Sequence, residues 1–130
     1  MQQKAGLKYP PVFAPSVVPA FRGMVVEVPL PLSAMPSAST ADCMRDTLAS
    51  TFAGSPLIRV RQDAPGTLDI AREAVPHDGM ELFVFASADG AQARLVARLD
   101  NLGKGASGAA VQNLNLMAGC DPVAGLELPA

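Results

Sequence analysis

The sequence has no tryptophan, one tyrosine, one histidine (His77) and two cysteines, Cys43 and Cys120. A lone histidine and two distant cysteines supply neither zinc-ligand spacing nor a disulfide framework, so no metal ligand is assigned and a reducing, cytoplasmic home is expected. Runs of basic charge are missing too. Ten Lys and Arg are interspersed with twelve Asp and Glu for a net charge of −2, and nothing here neutralises a string of phosphates, so no nucleic-acid partner is expected. The longest uncharged stretch, Gly105 to Cys120, is too short to cross a bilayer and contains Gln112, Asn113 and Asn115, so no membrane segment is expected. The start, residues 1–21, puts lysines before apolar residues as a signal peptide does. Pro10, Pro11, Pro15 and Pro19 break any continuous helix there.

What is present is apolar. Hydrophobic residues make up 49% of the 130 and charged residues 17%, enough for one principal core. The mean hydropathy of +0.25 is high for a small soluble monomer, which implies that part of the apolar surface is covered by a partner or a second domain.

Along the chain, residues 1–20 read as an extended, Pro-rich leader. Met24 to Val28 reads as a strand with Val26, Val28 and Leu30 on one face, and Pro29 and Pro31 restrict it to an edge. Ser39 is expected to cap a helix with Asp42 completing a capping-box-like pattern. Met44, Leu48 and Phe52 line its core face, Asp42 pairs with Arg45, and Gly54 stops it. Pro56 to Arg61 reads as a strand with Ile58 and Val60 inward. Residues 62–80 read as a long loop around a short helical piece near Leu68 to Ala74. Leu82 to Ala86 and Ala93 to Leu99 flank Asp89-Gly90 as a hairpin at the centre of the sheet. Its first strand is apolar on both faces, Leu82, Val84 and Ala86 on one and Phe83 and Phe85 on the other, so the sheet is expected to be covered twice. We expect the second face, with Phe83, Phe85 and Val96, to meet a symmetry mate. Ala106 to Ala118 is an uncharged helix that requires burial. The order βαβ, loop, ββα predicts an α+β fold, a mostly antiparallel sheet with helices packed on one face.

The stretch Leu99-Asp100-Asn101-Leu102-Gly103-Lys104-Gly105-Ala106-Ser107-Gly108-Ala109-Ala110-Val111-Gln112-Asn113-Leu114-Asn115 closely resembles the DNLGKGASGxAVQNxN signature of N-acetyl-γ-glutamyl-phosphate reductases. Residues 11–15 and 21–30, and the strand from Met80 to Phe85, are similar to the family as well. His77-Asp78-Gly79 stands where many members have a Gly-Thr-Asn-like turn. The resemblance implies a semialdehyde dehydrogenase family member of arginine biosynthesis, an oxidoreductase that reduces an acyl phosphate with NADP as cofactor. It implies a C-terminal domain like that of glyceraldehyde-3-phosphate dehydrogenase, binding substrate and forming a homodimer, with the last helix packed on a Rossmann domain.

By that resemblance the chain divides into the leader (1–20), a substrate and dimerisation domain (21–100), and a loop with a C-terminal helix (101–130) that would pack on an absent NADP-binding domain. The family's cysteine and histidine motifs have no counterpart. Cys43 and Cys120 lie in other contexts and read as small core or half-buried residues, and His77 reads as a turn residue, so no catalytic residue is assigned. The resemblance implies that Asn101, Gly103, Lys104 and Gly105 bind cofactor and that Arg22 binds substrate. The alternatives are a strand-end asparagine, a solvated loop lysine and a surface arginine. The chain thus reads as a catalytically incomplete fragment that binds no NADP tightly by itself. Its rival is a free-standing, non-catalytic α+β dimerisation or ligand-binding module.

Overall fold

A computed structural model describes residues 2–35, 39–70 and 76–129. A single helical turn, α1 (Gln2–Ala5), precedes the first proline, and residues 7–20 follow as an exposed, extended leader. The body is a four-stranded mixed sheet in the order β1-β4-β3-β2, made of β1 (Met24–Pro31), β2 (Ile58–Val60), β3 (Met80–Ala86) and β4 (Gln92–Leu99). β1 and β3 pair antiparallel with β4, and β2 pairs parallel with β3. β1 lies at an edge, where Pro29 and Pro31 cost no ladder bond on their open side.

β3 and β4 are the central pair, joined as the Asp89-Gly90 signal requires. Gly90 takes φ +67°, and the Ser87 hydroxyl and the Ala91 N–H both donate to Asp89 Oδ1, at 2.6 and 3.0 Å. The first of these contacts is also the main reason that the exposed Asp89 carboxyl sits below its ordinary pKa.

Register assigns the two faces. Val84, Leu95 and Val28 share one row, and Ala86, Ala93 and Leu30 the next. Helix α2 (Ala41–Thr51) covers this face: Ala41, Val84 and Ala93 are buried, with Met44, Leu48, Leu32 and Leu95 packed around them. The stripe of Met44 and Leu48 meets the core as its spacing demands, and Asp42 pairs with Arg45 at 2.6 Å. The cap is Thr40, not Ser39: its hydroxyl accepts from the Cys43 N–H at 3.1 Å. Both residues suit the role, and the register of the first turn decides between them.

The opposite face carries Phe83, Val96 and Glu27 in one row and Phe85, Arg94 and Pro29 in the next. Phe83 and Val96 are each only 2% exposed within the single chain, so they are not an open face awaiting a symmetry mate. Pro65 to Ile70, read as loop, faces Phe83, Phe85, Arg94 and Arg98 across two shallow depressions of about 280 and 220 Å³. Arg94 and Arg98 stack over Phe85 and Phe83, at 5.1 and 5.6 Å, and Arg98 pairs with Glu81. The centre of the second face, at Phe83 and Val96, is covered within the chain, whereas its outer part at Glu27, Pro29 and Arg94 is exposed. Of the helical piece expected near Leu68 to Ala74, residues 71–75 lie outside the described residues, and 68–70 are not helical.

After β4 the chain makes a π-helical turn (Gly103–Ser107) that runs into helix α3 (Gly108–Ala118), closed by Gly119 at φ +69°. Leu114, Leu116 and Met117 on α3 are 64, 57 and 86% exposed. This helix lacks the burial that its uncharged sequence requires.

Candidate functional site

The signature stretch begins where β4 ends, beside the start of β1. Met24 pairs with Leu99, which brings Arg22 and Gly23 against Asp100 and Asn101, 78 residues away in sequence. Asp100 is completely buried. Arg22 Nη1 donates to its Oδ2 at 2.6 Å, and the Leu102 N–H donates to its Oδ1 at 2.8 Å. Burial by itself would raise the pKa of this carboxyl. The Leu102 amide, the Arg22 guanidinium and the Gly103 amide outweigh it and hold the group below its ordinary value. Asp100 is therefore an anion at neutral pH.

Asn101 bonds to the residue after Arg22 in the same segment. Its Oδ1 accepts from the Gly23 N–H at 2.8 Å, which leaves the Nδ2 hydrogens as the polar group it can offer a ligand. Gly23 has φ +104°, and a Cβ there would collide with the Ile70 side chain, so the close approach of β1 to this corner depends on glycine.

In the turn, Gly105 N–H donates to Asp100 O at 2.9 Å and Ser107 N–H to Leu102 O at 3.0 Å, the i to i−5 pattern of a π-helix. Such turns recur at functional sites. Lys104 Nζ donates to Gln112 Oε1 at 2.9 Å across this segment and is in no ion pair among the described residues. Of the neighbouring glycines, Gly103 has a packing role, since a Cβ there would run into the His77 carbonyl, whereas one on Gly105 would make ordinary contacts with Leu99 and Asp100.

Sequence reasoning singled out Arg22, Asn101, Gly103, Lys104 and Gly105, and the fold gathers them at one corner. It assigned no role to Asp100, the group that ties Arg22 to the turn. Asp100 was visible inside the motif, but nothing local showed that its partner lay at the start of β1. The structure also engages Arg22 with this buried carboxylate. One of the amides that a helix N-terminus would turn towards a phosphate, that of Leu102, is already satisfied by Asp100. Among the side-chain donors at the turn are Asn101 Nδ2 and Lys104 Nζ, the latter shared with Gln112.

The cysteines are corrected outright. Cys43 and Cys120 are both free and exposed, not core or half-buried. Cys43 lies on the solvent side of α2, and Cys120 follows the left-handed Gly119 beyond the end of α3. Neither sulfur is hydrogen-bonded to a base among the described residues. His77 is half-buried, and its Nδ1 accepts from the Gly79 N–H at 3.1 Å.

A helix-covered, mostly antiparallel sheet with a glycine-rich turn bound to its edge strand is the architecture of a dehydrogenase's second domain, not of a dinucleotide fold. Residues 1–101 match the family described as semialdehyde dehydrogenase, dimerisation domain, and the chain belongs to that family. It is 46% identical over 112 residues to the N-acetyl-gamma-glutamyl-phosphate reductase of Brucella ovis, covering 84% of this chain and 36% of that protein. The reductases of Brucella canis and Brucella abortus match to the same extent. The chain thus spans about a third of the length of the curated relatives it matches.

Proposed function

We propose that this chain is the C-terminal, substrate-binding and dimerising portion of an NADP-dependent N-acetyl-γ-glutamyl-phosphate reductase, and that it performs no chemistry alone. The observation that carries this reading is the 46% identity over 84% of the chain, joined to a site with no activated nucleophile among the described residues. The reaction needs a thiolate, a proton-handling histidine and a presented hydride. Cys43 and Cys120 offer the first only in contexts without a base.

In this reading the dinucleotide site belongs mainly to a Rossmann domain. The glycine turn commits the Leu102 amide to Asp100, and we assign Asn101 and Lys104 to reach a cofactor or substrate. Both donate. Their ligand atoms are acceptors, a carboxamide or phosphate oxygen, and Arg22 contributes through Asp100 by fixing the corner. NADP as cofactor, a homodimer and a cytoplasmic home belong to the same reading, and two exposed free thiols suit a reducing compartment. In the described residues no helix is long and apolar enough to cross a membrane.

Replacing the matched third of the Brucella ovis reductase with this chain tests the reading. The chimera is expected to retain turnover within about tenfold, a barrier change near 1.4 kcal/mol, while the isolated chain with NADPH and the acyl phosphate stays at background. A folded chimera without activity would favour the free-standing module. Turnover by the isolated chain that Cys43→Ser or Cys120→Ser abolishes would overturn the claim of incompleteness.

A further inference from the structure

Three remote segments converge beside the glycine turn: residues 77–79 ahead of β3, the turn itself, and the tail at 126–129. The Asp78 N–H donates to Glu127 O at 2.7 Å, and the Glu127 N–H donates back to Asp78 Oδ2 at 2.9 Å. The other carboxylate oxygen of Asp78 rests on the turn. A Cβ on Gly108 would fall on that oxygen, and one on Gly103 would lie 3.1 Å from it. A Cβ on Gly79 would strike the Pro129 ring. The tail is guided to this junction from the far end of α3, where Gly119 reverses the chain and Asn115 Nδ2 donates to Ala124 O at 2.9 Å. The path therefore closes on itself. The turn starts α3, α3 leads into the tail, and the tail grips Asp78, which bears on the turn.

We propose that the tail at 126–129 is a strap that fixes the glycine turn, with Asp78 as the positioning residue through which it acts. Asp78 is buried, and among the described residues its side chain has one hydrogen-bonded partner, the tail amide of Glu127. A buried carboxylate whose oxygens lie between a backbone amide and a glycine backbone transmits the tail's position directly, because close-packed contacts do not yield continuously. The strap sets where Asn101 and Lys104 stand, and it does so whatever those residues bind. A ligand that orders the turn would in return tighten the tail, since coupling between sites is reciprocal.

Amide hydrogen exchange on the whole chain tests this, with Gly105 and Ser107 reporting the turn and Phe83 and Val96 the hairpin. In Asp78→Ala, exchange at the turn is expected to rise about tenfold or more while the hairpin is unchanged, the mark of a local opening. Asp78→Asn keeps an acceptor for the Glu127 N–H and should restore turn exchange to within about threefold of wild type. Glu127→Pro removes the donor from the tail side and should reproduce the alanine result; it also carries the test if Asp78→Ala does not fold. A turn that stays protected in both Asp78→Ala and Glu127→Pro overturns the proposal. So does an equal rise at turn and hairpin, which would make Asp78 a support of the whole domain.

Discussion

Replacing Asp100 removes two things together, the partner of Arg22 and the acceptor for the Leu102 amide at the start of the turn. With Asp100→Asn the Leu102 amide keeps an acceptor and the charge pairing is lost. We expect a cost of about 1.5–3 kcal/mol at pH 7, the range for hydrogen bonds to charged groups. The pH dependence fixes the cause. The folded-state pKa of Asp100 is depressed, so its contribution is fully present above the unfolded value of about 4 and is lost as pH falls through the folded value. The stability gap between wild type and Asp100→Asn should therefore be constant from pH 7 to about pH 5 and shrink below about pH 4. Urea unfolding at a series of pH values reads this directly. A gap that persists undiminished to pH 2 would mean that the carboxylate charge is not what stabilises the corner.

The secondary elements differ in how far their own residues specify them. The β3–β4 hairpin, the edge strand β1 and helix α2 were legible because each carries its signal locally: Asp89-Gly90 for the turn, Pro29 and Pro31 for the edge, and the spacing of Met44 and Leu48 for the buried stripe. What was not legible is tertiary. Pro65 to Ile70 has no periodicity, and it faces Phe83 and Phe85 only because the sheet presents a second apolar face. The register that seats Thr40 rather than Ser39 at the cap depends on how α2 meets Val84. The tail at 126–129 reads as irregular chain, and nothing beside Asp78 announces a partner 49 residues away. The site was legible as a motif and illegible as a clasp. Helix α3 is the reverse case, strong in propensity and weak in packing. With Leu114, Leu116 and Met117 largely exposed, little burial opposes its opening. Hydrogen exchange should show amides of α3 beyond its first turn exchanging at least about tenfold faster than those of Phe83 to Phe85. Equal protection of the two would show that α3 is held by contacts other than those of this fold.

At the scale of the whole molecule, accessible surface says how much cover is missing. The chain exposes 8831 Å², whereas a compact monomer of its 13.4 kDa would expose about 6,500 Å². The excess of about 2,300 Å² is far more than the roughly 800 Å² that each partner buries in a standard protein interface. Apolar side chains that stand in water include Val12, Phe13 and Val17 of the leader, the α3 residues, and Met24, Val26 and Val28 on β1. A homodimer with a standard interface would account for about 800 Å² of this surface on each chain and would leave a remainder of the order of 1,500 Å². Two measurements on the isolated chain follow together. Sedimentation at micromolar concentration should show a dimer, because even the partial cover of self-association offsets exposed apolar area. The same dimer should still bind an environment-sensitive hydrophobic dye, and the chimera that supplies the other two thirds of the reductase should bind much less of it per chain. A chain that sediments only as monomer counts against dimerisation through this surface. A dimer that leaves the dye unbound counts against a second covering body, because self-association alone would then have hidden all of the excess.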